Sequence, residues 1–263
     1  MSKRTNVRAA VAVIIIALVA LAVTLYFVHF NLSSITQAGF PIPAVSIARN
    51  WAGNVADNNL LNPKPEVTAV SGSWTVPTVK DLGTDSYSSV WVGIGGQFDQ
   101  SLIQVGTEQD YVGGAAKYLA WYEMLPSGSV TISTIQVSPG DKMQASISQA
   151  GTNSWTITLQ DTTAGTKFQS TFAYNSGQLS AEWIVERPQI NGALVQLANF
   201  GSVTFTDCSA TISGKTGGIT SFAHNQVTMD PEMINNHSVR LVTVSAVSNG
   251  GTQFVVNYVA VNA

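Results

Sequence analysis

The chain reads as all-β, one large domain of short antiparallel strands closing into a sandwich or a barrel. From Trp51 onward there is almost no helical periodicity; short runs rich in Val, Ile, Thr, Trp and Tyr alternate apolar with polar residues. Turn chemistry recurs between these runs, as in Pro139-Gly140-Asp141, Thr163-Ala164-Gly165 and Ser248-Asn249-Gly250-Gly251, the last suited to closing a hairpin. Hydrophobic residues make up 45% of the 263, ample for one core, and no internal repeat marks a second domain.

The first element is different in kind. Lys3, Arg4 and Arg8 precede residues 9–28, a run without a charged side chain. Twenty helical residues at about 1.5 Å each span a bilayer core of about 30 Å, and a cleavable signal has a shorter apolar region. The expectation is one N-terminal transmembrane helix over 9–30, a cytoplasmic basic end over 1–8 and the C-terminal bulk outside. If Thr36-Gln37-Ala38 served a signal peptidase, the domain would instead be secreted. Residues 31–48, with Pro41 and Pro43, read as a linker or stalk, leaving 49–263 for the β domain. Asn31-Leu32-Ser33 and Asn236-His237-Ser238 fit the glycosylation sequon, in keeping with an external location.

Within the domain the alternation predicts strands at 70–76, 88–94, 102–106, 117–125, 129–137, 142–148, 154–160, 167–174, 179–186, 202–206, 239–247 and 253–261. Between Gly214 and Asn236 the pattern is weak and predicts an extended loop.

Composition excludes several functions. Charged residues are only 10% of the chain and the net charge is −3, so there is no basic footprint for nucleic acid. A surface poor in carboxylates gathers little self-repulsion in acid, which suits an acidic medium but is also common among secreted β-proteins. Cys208 is the only cysteine, so no internal disulfide can form. His29, His224 and His237 lie near no nucleophile motif, against a serine or cysteine hydrolase. Neither CxxC nor HExxH occurs, so no metal or cofactor is expected, and the paired Asp-Thr-Gly loops of an aspartic peptidase are missing.

What remains is a set of polar residues on strands. Alternation puts Glu182, Ile184 and Glu186 on one face and Ala181, Trp183 and Val185 on the other. Two glutamates do not belong in a core, so their face should look outward or into a groove. Likewise Leu119, Trp121, Glu123 and Leu125 share a face opposite Tyr118, Tyr122 and Met124. An aromatic beside a carboxylate suits a peptide or a sugar equally. Gln104, between Ile103 and Val105, carries an amide able to hold a water or an oxyanion, or merely to bond a sheet backbone.

Taken together with their contexts, these blocks resemble the glutamic peptidases, the G1 or eqolisin family. Asn50-Trp51-Ala52-Gly53 resembles the family's Asn-Trp-Gly-Gly, Trp91 to Gly96 its Trp-Val-Gly-Ile-Asp-Gly, and Leu102 to Gly106 its Leu-Gln-Thr-Gly block. Ala120-Trp121-Tyr122-Glu123 resembles Ala-Trp-Tyr-Glu, Glu182 to Glu186 resembles Glu-(Phe/Trp)-Ile-(Ile/Val)-Glu, and Phe205 to Ser209 a late strand. The resemblance implies a sandwich of two bent antiparallel sheets, concanavalin-like, with the site on a concave face. It implies Gln104 and Glu186 as the catalytic pair, with Trp51, Trp121 and Glu123 lining a cleft for polypeptide substrates. It further implies an acid endopeptidase using an activated water, with neither metal nor covalent intermediate. Three positions depart from the pattern: Gly95, Leu119 and Leu125 stand where the family has Asp, Asp and an aromatic. A rival reading is a tethered lectin-like or adhesive β-sandwich without catalysis, since fold alone decides no function.

Overall fold

The computed structural model describes residues 44–48, 50–229, 232–234 and 237–259. The expected anchor and the sequon asparagines Asn31 and Asn236 lie outside the described residues. Among the described residues no helix is long and apolar enough to cross a membrane.

In chain order the strands are β1 (Ala44–Ala48), β2 (Trp51–Asp57), β3 (Val67–Thr75), β4 (Ser89–Gly95), β5 (Leu102–Val112), β6 (Ala115–Met124) and β7 (Val130–Thr131). Then come β8 (Lys142–Gly151), β9 (Ser154–Asp161), β10 (Thr166–Ala173), β11 (Ala181–Glu186), β12 (Gln189–Ile190), β13 (Ala193–Leu194), β14 (Ser202–Ile212) and β15 (Lys215–Gly217). The last are β16 (Ala223–Met229), β17 (Glu232–Ile234), β18 (His237–Val239), β19 (Val242–Val244) and β20 (Phe254–Tyr258). One large sheet has the order β1-β16-β2-β11-β4-β5-β6-β7, the other β10-β9-β8-β3-β14-β20-β19, with β15 on β14.

The core lies between these sheets. The first contributes Val90, Val92, Ile103, Val105, Trp183 and Val185, and the second Trp74, Met143, Ile147, Trp155, Ile157, Leu159, Phe205 and Phe254. Two indoles tie the layers together. Trp183 Nε1 donates to the Ser71 carbonyl at 2.7 Å, and Trp74 Nε1 donates to the Thr107 hydroxyl at 3.1 Å. Gly72 makes room for the first, since a Cβ there would meet Trp183 Cδ1 at 2.9 Å.

Most expected strands are present, with four corrections. Ala44–Ala48, expected as stalk, forms β1 and pairs in parallel with β16, so the domain begins before residue 49 and the first sheet is not wholly antiparallel. Residues 129–137 shrink to β7, because pairing with β6 is limited to Val130 and Thr131, with one further bond from the Ile132 N–H to the Ala120 carbonyl. Residues 214–236, expected as a loop, hold β15, β16, β17 and a short 3-10 turn. β16 lies between β1 and β2, so backbone pairing on both sides sustains a strand whose side chains (His224, Asn225, Gln226) show no alternation. The expected strand at 239–247 contains only β19 with the end of β18.

The turns behave as their residues require. Thr163 and Ala164 N–H groups donate to the Asp161 side chain, closing the β9–β10 hairpin. Asn249, Gly250 and Gly251 all take positive φ in the connection between β19 and β20.

Replacing Trp183 with Phe keeps an aromatic ring but leaves the buried Ser71 carbonyl without its donor. The expected loss is about 1–3 kcal/mol of unfolding free energy. Trp183→Ala, which also opens a cavity, should lose about 3–5 kcal/mol. Urea denaturation followed by circular dichroism measures both, and equal midpoints for wild type and Trp183→Phe would contradict the first figure.

Candidate active site

The outer face of the first sheet, turned away from the second, carries a separate apolar cluster: Trp91, Leu102, Trp121 and Ile184, with Trp51, Leu119 and Leu125 against it. The register orders its residues into three rows. Glu182, Gly93, Gln104 and Glu123 are successive partners across β11, β4, β5 and β6. Ile184, Trp91, Gly106 and Trp121 form the next row. Trp51, Glu186, Ser89, Glu108 and Leu119 form the third.

Trp91 therefore stands midway on the diagonal from Gln104 to Glu186. Its ring has space because its neighbours lack side chains. A Cβ on Gly93 would meet Trp91 Cζ3 at 2.8 Å, and one on Gly106 would meet Trp91 Cβ at 2.6 Å and the Val90 carbonyl at 2.2 Å. Trp91 also packs edge-on against Trp51, with ring centroids 5.0 Å apart.

Glu186 is half-buried and both its oxygens are held. Asn50 Nδ2 donates to Oε1 at 2.6 Å and Trp91 Nε1 donates to Oε2 at 2.8 Å. Desolvation pushes its pKa up to about 7; the Trp91 and Trp51 indoles pull it down, and Glu123 and Glu108 push it further up. In register Glu123 is three strands and four residues away from Glu186, close to 20 Å in a flat sheet at about 4.8 Å per strand and about 3.4 Å per residue.

Gln104 is buried, and its Nε2 donates to Glu123 Oε2 at 2.6 Å while its Oε1 has no hydrogen-bond partner. Burial raises the Glu123 pKa, against the pull of the Gln104 amide and the Ser129 backbone. Glu108 is raised by burial and by Glu123, and Asp110 is raised to about 7 by burial and by Glu108.

The structure thus brings Gln104, Glu123, Glu186, Trp51 and Trp121 onto one face. One expectation needs correction. Glu182 is not on an open surface: it is fully buried, and burial raises its pKa well above the ordinary value, with Asp99 adding to this and Ser180 and Gly95 opposing it. The segments over this end of the face account for the difference; Asp99 accepts from the Ser101 N–H and hydroxyl, and the Gly177 N–H donates to Ser101 Oγ at 2.7 Å. Trp121 is only 4% exposed, more a floor of the face than a wall of it, and its Nε1 has no partner. Sequence reasoning assigned no role to Asn50, Trp91 or Glu108. Alternation in the 88–94 strand sets Trp91 opposite Val90, Val92 and Ile94, a signal that could have placed it on the outer face.

Comparison with known proteins gives the family. Residues 49–258 match the Peptidase A4 family. Aspergillopepsin-2 of Aspergillus niger is 32% identical, over 72% of this chain and 74% of its own. Scytalidopepsin B of Scytalidium lignicola is 31% identical, over 76% and 78%. Among solved structures, scytalido-glutamic peptidase with a peptide-based transition state analog superposes with a TM-score of 0.66 at 27% identity, covering 81% of this chain and all of that one. Aspergilloglutamic peptidase from Aspergillus niger gives a TM-score of 0.56 at 34% identity, covering 66% of this chain and 99% of that one.

Fold and family together define a β-sandwich hydrolase. The chain belongs to the Peptidase A4 family, the eqolisin or G1 glutamic peptidases, and is a peptide-bond hydrolase. This favours the enzyme over the surface-binding module.

The raised carboxyls predict how stability varies with pH. A carboxyl whose pKa rises on folding binds its proton more tightly in the folded state. Its contribution is complete below the unfolded value and is lost as pH climbs through the folded one. For Glu186 and Asp110 that window runs from the ordinary 4.5 and 3.8 to about 7. The melting temperature should therefore be higher near pH 4 than near pH 7. Glu182→Gln, an amide standing in for the protonated acid, should narrow the difference; a scan at the two pH values checks both.

Proposed function

We propose that this enzyme is an acid-acting endopeptidase in which Gln104 and Glu186 hold and activate a water. The observation that carries the reading is the shared face. Glu186, braced by two neutral donors, and Gln104, fixed by Glu123, lie on either side of Trp91.

One hydrogen of the Gln104 amide goes to Glu123, which leaves the second for the substrate. Water attacks the scissile carbonyl carbon and passes a proton to Glu186. The charge that develops on the carbonyl oxygen is met by the free Gln104 N–H, an oxyanion-hole role. Glu186 then gives the proton to the leaving nitrogen as the carbon–nitrogen bond breaks, releasing a carboxylic acid and an amine. Below about pH 7 most of Glu186 is protonated, so the attack draws on its ionised fraction and the proton it then holds is the one given to the leaving nitrogen. No step needs a metal or a covalent intermediate.

The substrates are polypeptides. Trp51 and Trp121 supply apolar contact. The acidic working range is proposed from membership of the glutamic peptidase family, and the raised pKa values of Glu108, Asp110, Glu123, Glu182 and Glu186 support a site that tolerates acid. The uncharged run at 9–28 after three basic residues supports a membrane tether with the domain outside.

Proteolysis of denatured protein across pH 2 to 7 tests the reading. Wild type should cleave best in acid, resist chelators and serine-protease inhibitors, and lose at least about a hundredfold in kcat/KM in folded Glu186→Gln and Gln104→Ala. Full activity in either variant would remove that residue from the mechanism.

A further inference from the structure

The hydrogen bond from Asn50 to Glu186 is more than a strand-end contact. We infer that Asn50 is a positioning residue for the carboxyl that moves the proton, an inference that rests on the role given above to Glu186.

Asn50 precedes β2, and its carbonyl accepts the Arg187 N–H at 2.8 Å, one position beyond the β2–β11 ladder that ends with Trp51 opposite Glu186. Its backbone is thus bonded to the residue that follows Glu186, while its side chain reaches back to Oε1 at 2.6 Å. Arg187 is itself anchored, buried with its Nε donating to the Val195 carbonyl. The amide is therefore attached to the same strand end as the carboxyl, and the distance between them survives motion of the strand.

The second donor comes from another strand. Trp91 Nε1 on β4 holds Oε2 at 2.8 Å. One donor would leave the carboxyl free to turn about its last bond, whereas two donors on different oxygens fix its plane. The residue type matters as well. Glu123 and Glu108 already bring negative charge to the group. A lysine or arginine in place of Asn50 would hold Glu186 ionised, and an acid would compete for its proton. An amide donates without titrating, so it orients the carboxyl while leaving its proton exchangeable.

The experiment uses the full chain with Asn50→Ala, Asn50→Asp and Asn50→Gln, beside Glu186→Gln. Folding is checked by circular dichroism, and two readouts are taken. The first is the Glu186 side-chain carboxyl titration by carbon-13 NMR, assigned by its absence in Glu186→Gln, which needs no activity. The second is the pH dependence of kcat and KM on a peptide substrate. Removing a donor to the ionised form should raise the Glu186 titration midpoint by about one pH unit in Asn50→Ala and by more in Asn50→Asp, where a like charge is added. Asn50→Ala should lose about tenfold or more in kcat with KM within about twofold, its pH limb moving with the NMR midpoint. Asn50→Gln, which keeps the donor, should recover part of both.

A folded Asn50→Ala with an unmoved Glu186 midpoint overturns the inference, whatever its activity. So does a loss confined to thermal stability or KM. If Glu186→Gln stays active while Asn50→Ala moves the midpoint, the role given to Glu186 fails and the positioning of its carboxyl stands.

Discussion

The site depends on Trp91 lying across the outer face of the first sheet. A tryptophan can occupy the middle of a five-strand surface only if the positions beside it are empty. Gly93 and Gly106 provide that space, and a Cβ at either would strike the ring or its own strand. From there the indole reaches Glu186 with its N–H and supports Trp51 with its edge. The two groups assigned to the chemistry stand at opposite corners of this one ring. Their separation is set by the register of three strands, not by any loop.

A second constraint is electrostatic. The face gathers Glu108, Asp110, Glu123 and Glu186, with Glu182 sealed beneath one end. Each is pushed upward chiefly by burial, and several push one another. A fold that buries so many carboxyls without matching cations is most comfortable when they carry protons. Asp110 has Lys117 opposite it, yet even there the net direction is upward. A preference for acid in stability is thus built into the same residues that line the site.

Much of this was legible in the chain. Alternation assigned Trp183 and Val185 to the core, and both are fully buried there. It placed Leu119, Trp121 and Glu123 opposite Tyr118 and Tyr122, and the latter pair packs against the main core while the former trio faces the site. It was silent on β16, because a strand flanked on both sides is held by backbone hydrogen bonds that leave no mark on side-chain order. It misjudged Glu182, because the Asp99–Ser101 segment beside it, remote in sequence from β11, is brought there by the fold and tied to Gly177 just ahead of the strand.

The sequence by itself determined the all-β class, the family and which side chains share a strand face, because these depend on a period of two and on short local motifs. Only the tertiary structure decided which faces meet, that Asn50 and Trp91 share one carboxylate, and that Gln104 is turned by Glu123. Those pairings join residues 136, 95 and 19 positions apart. No local pattern encodes them, because the register between strands is settled by the packing of the whole core.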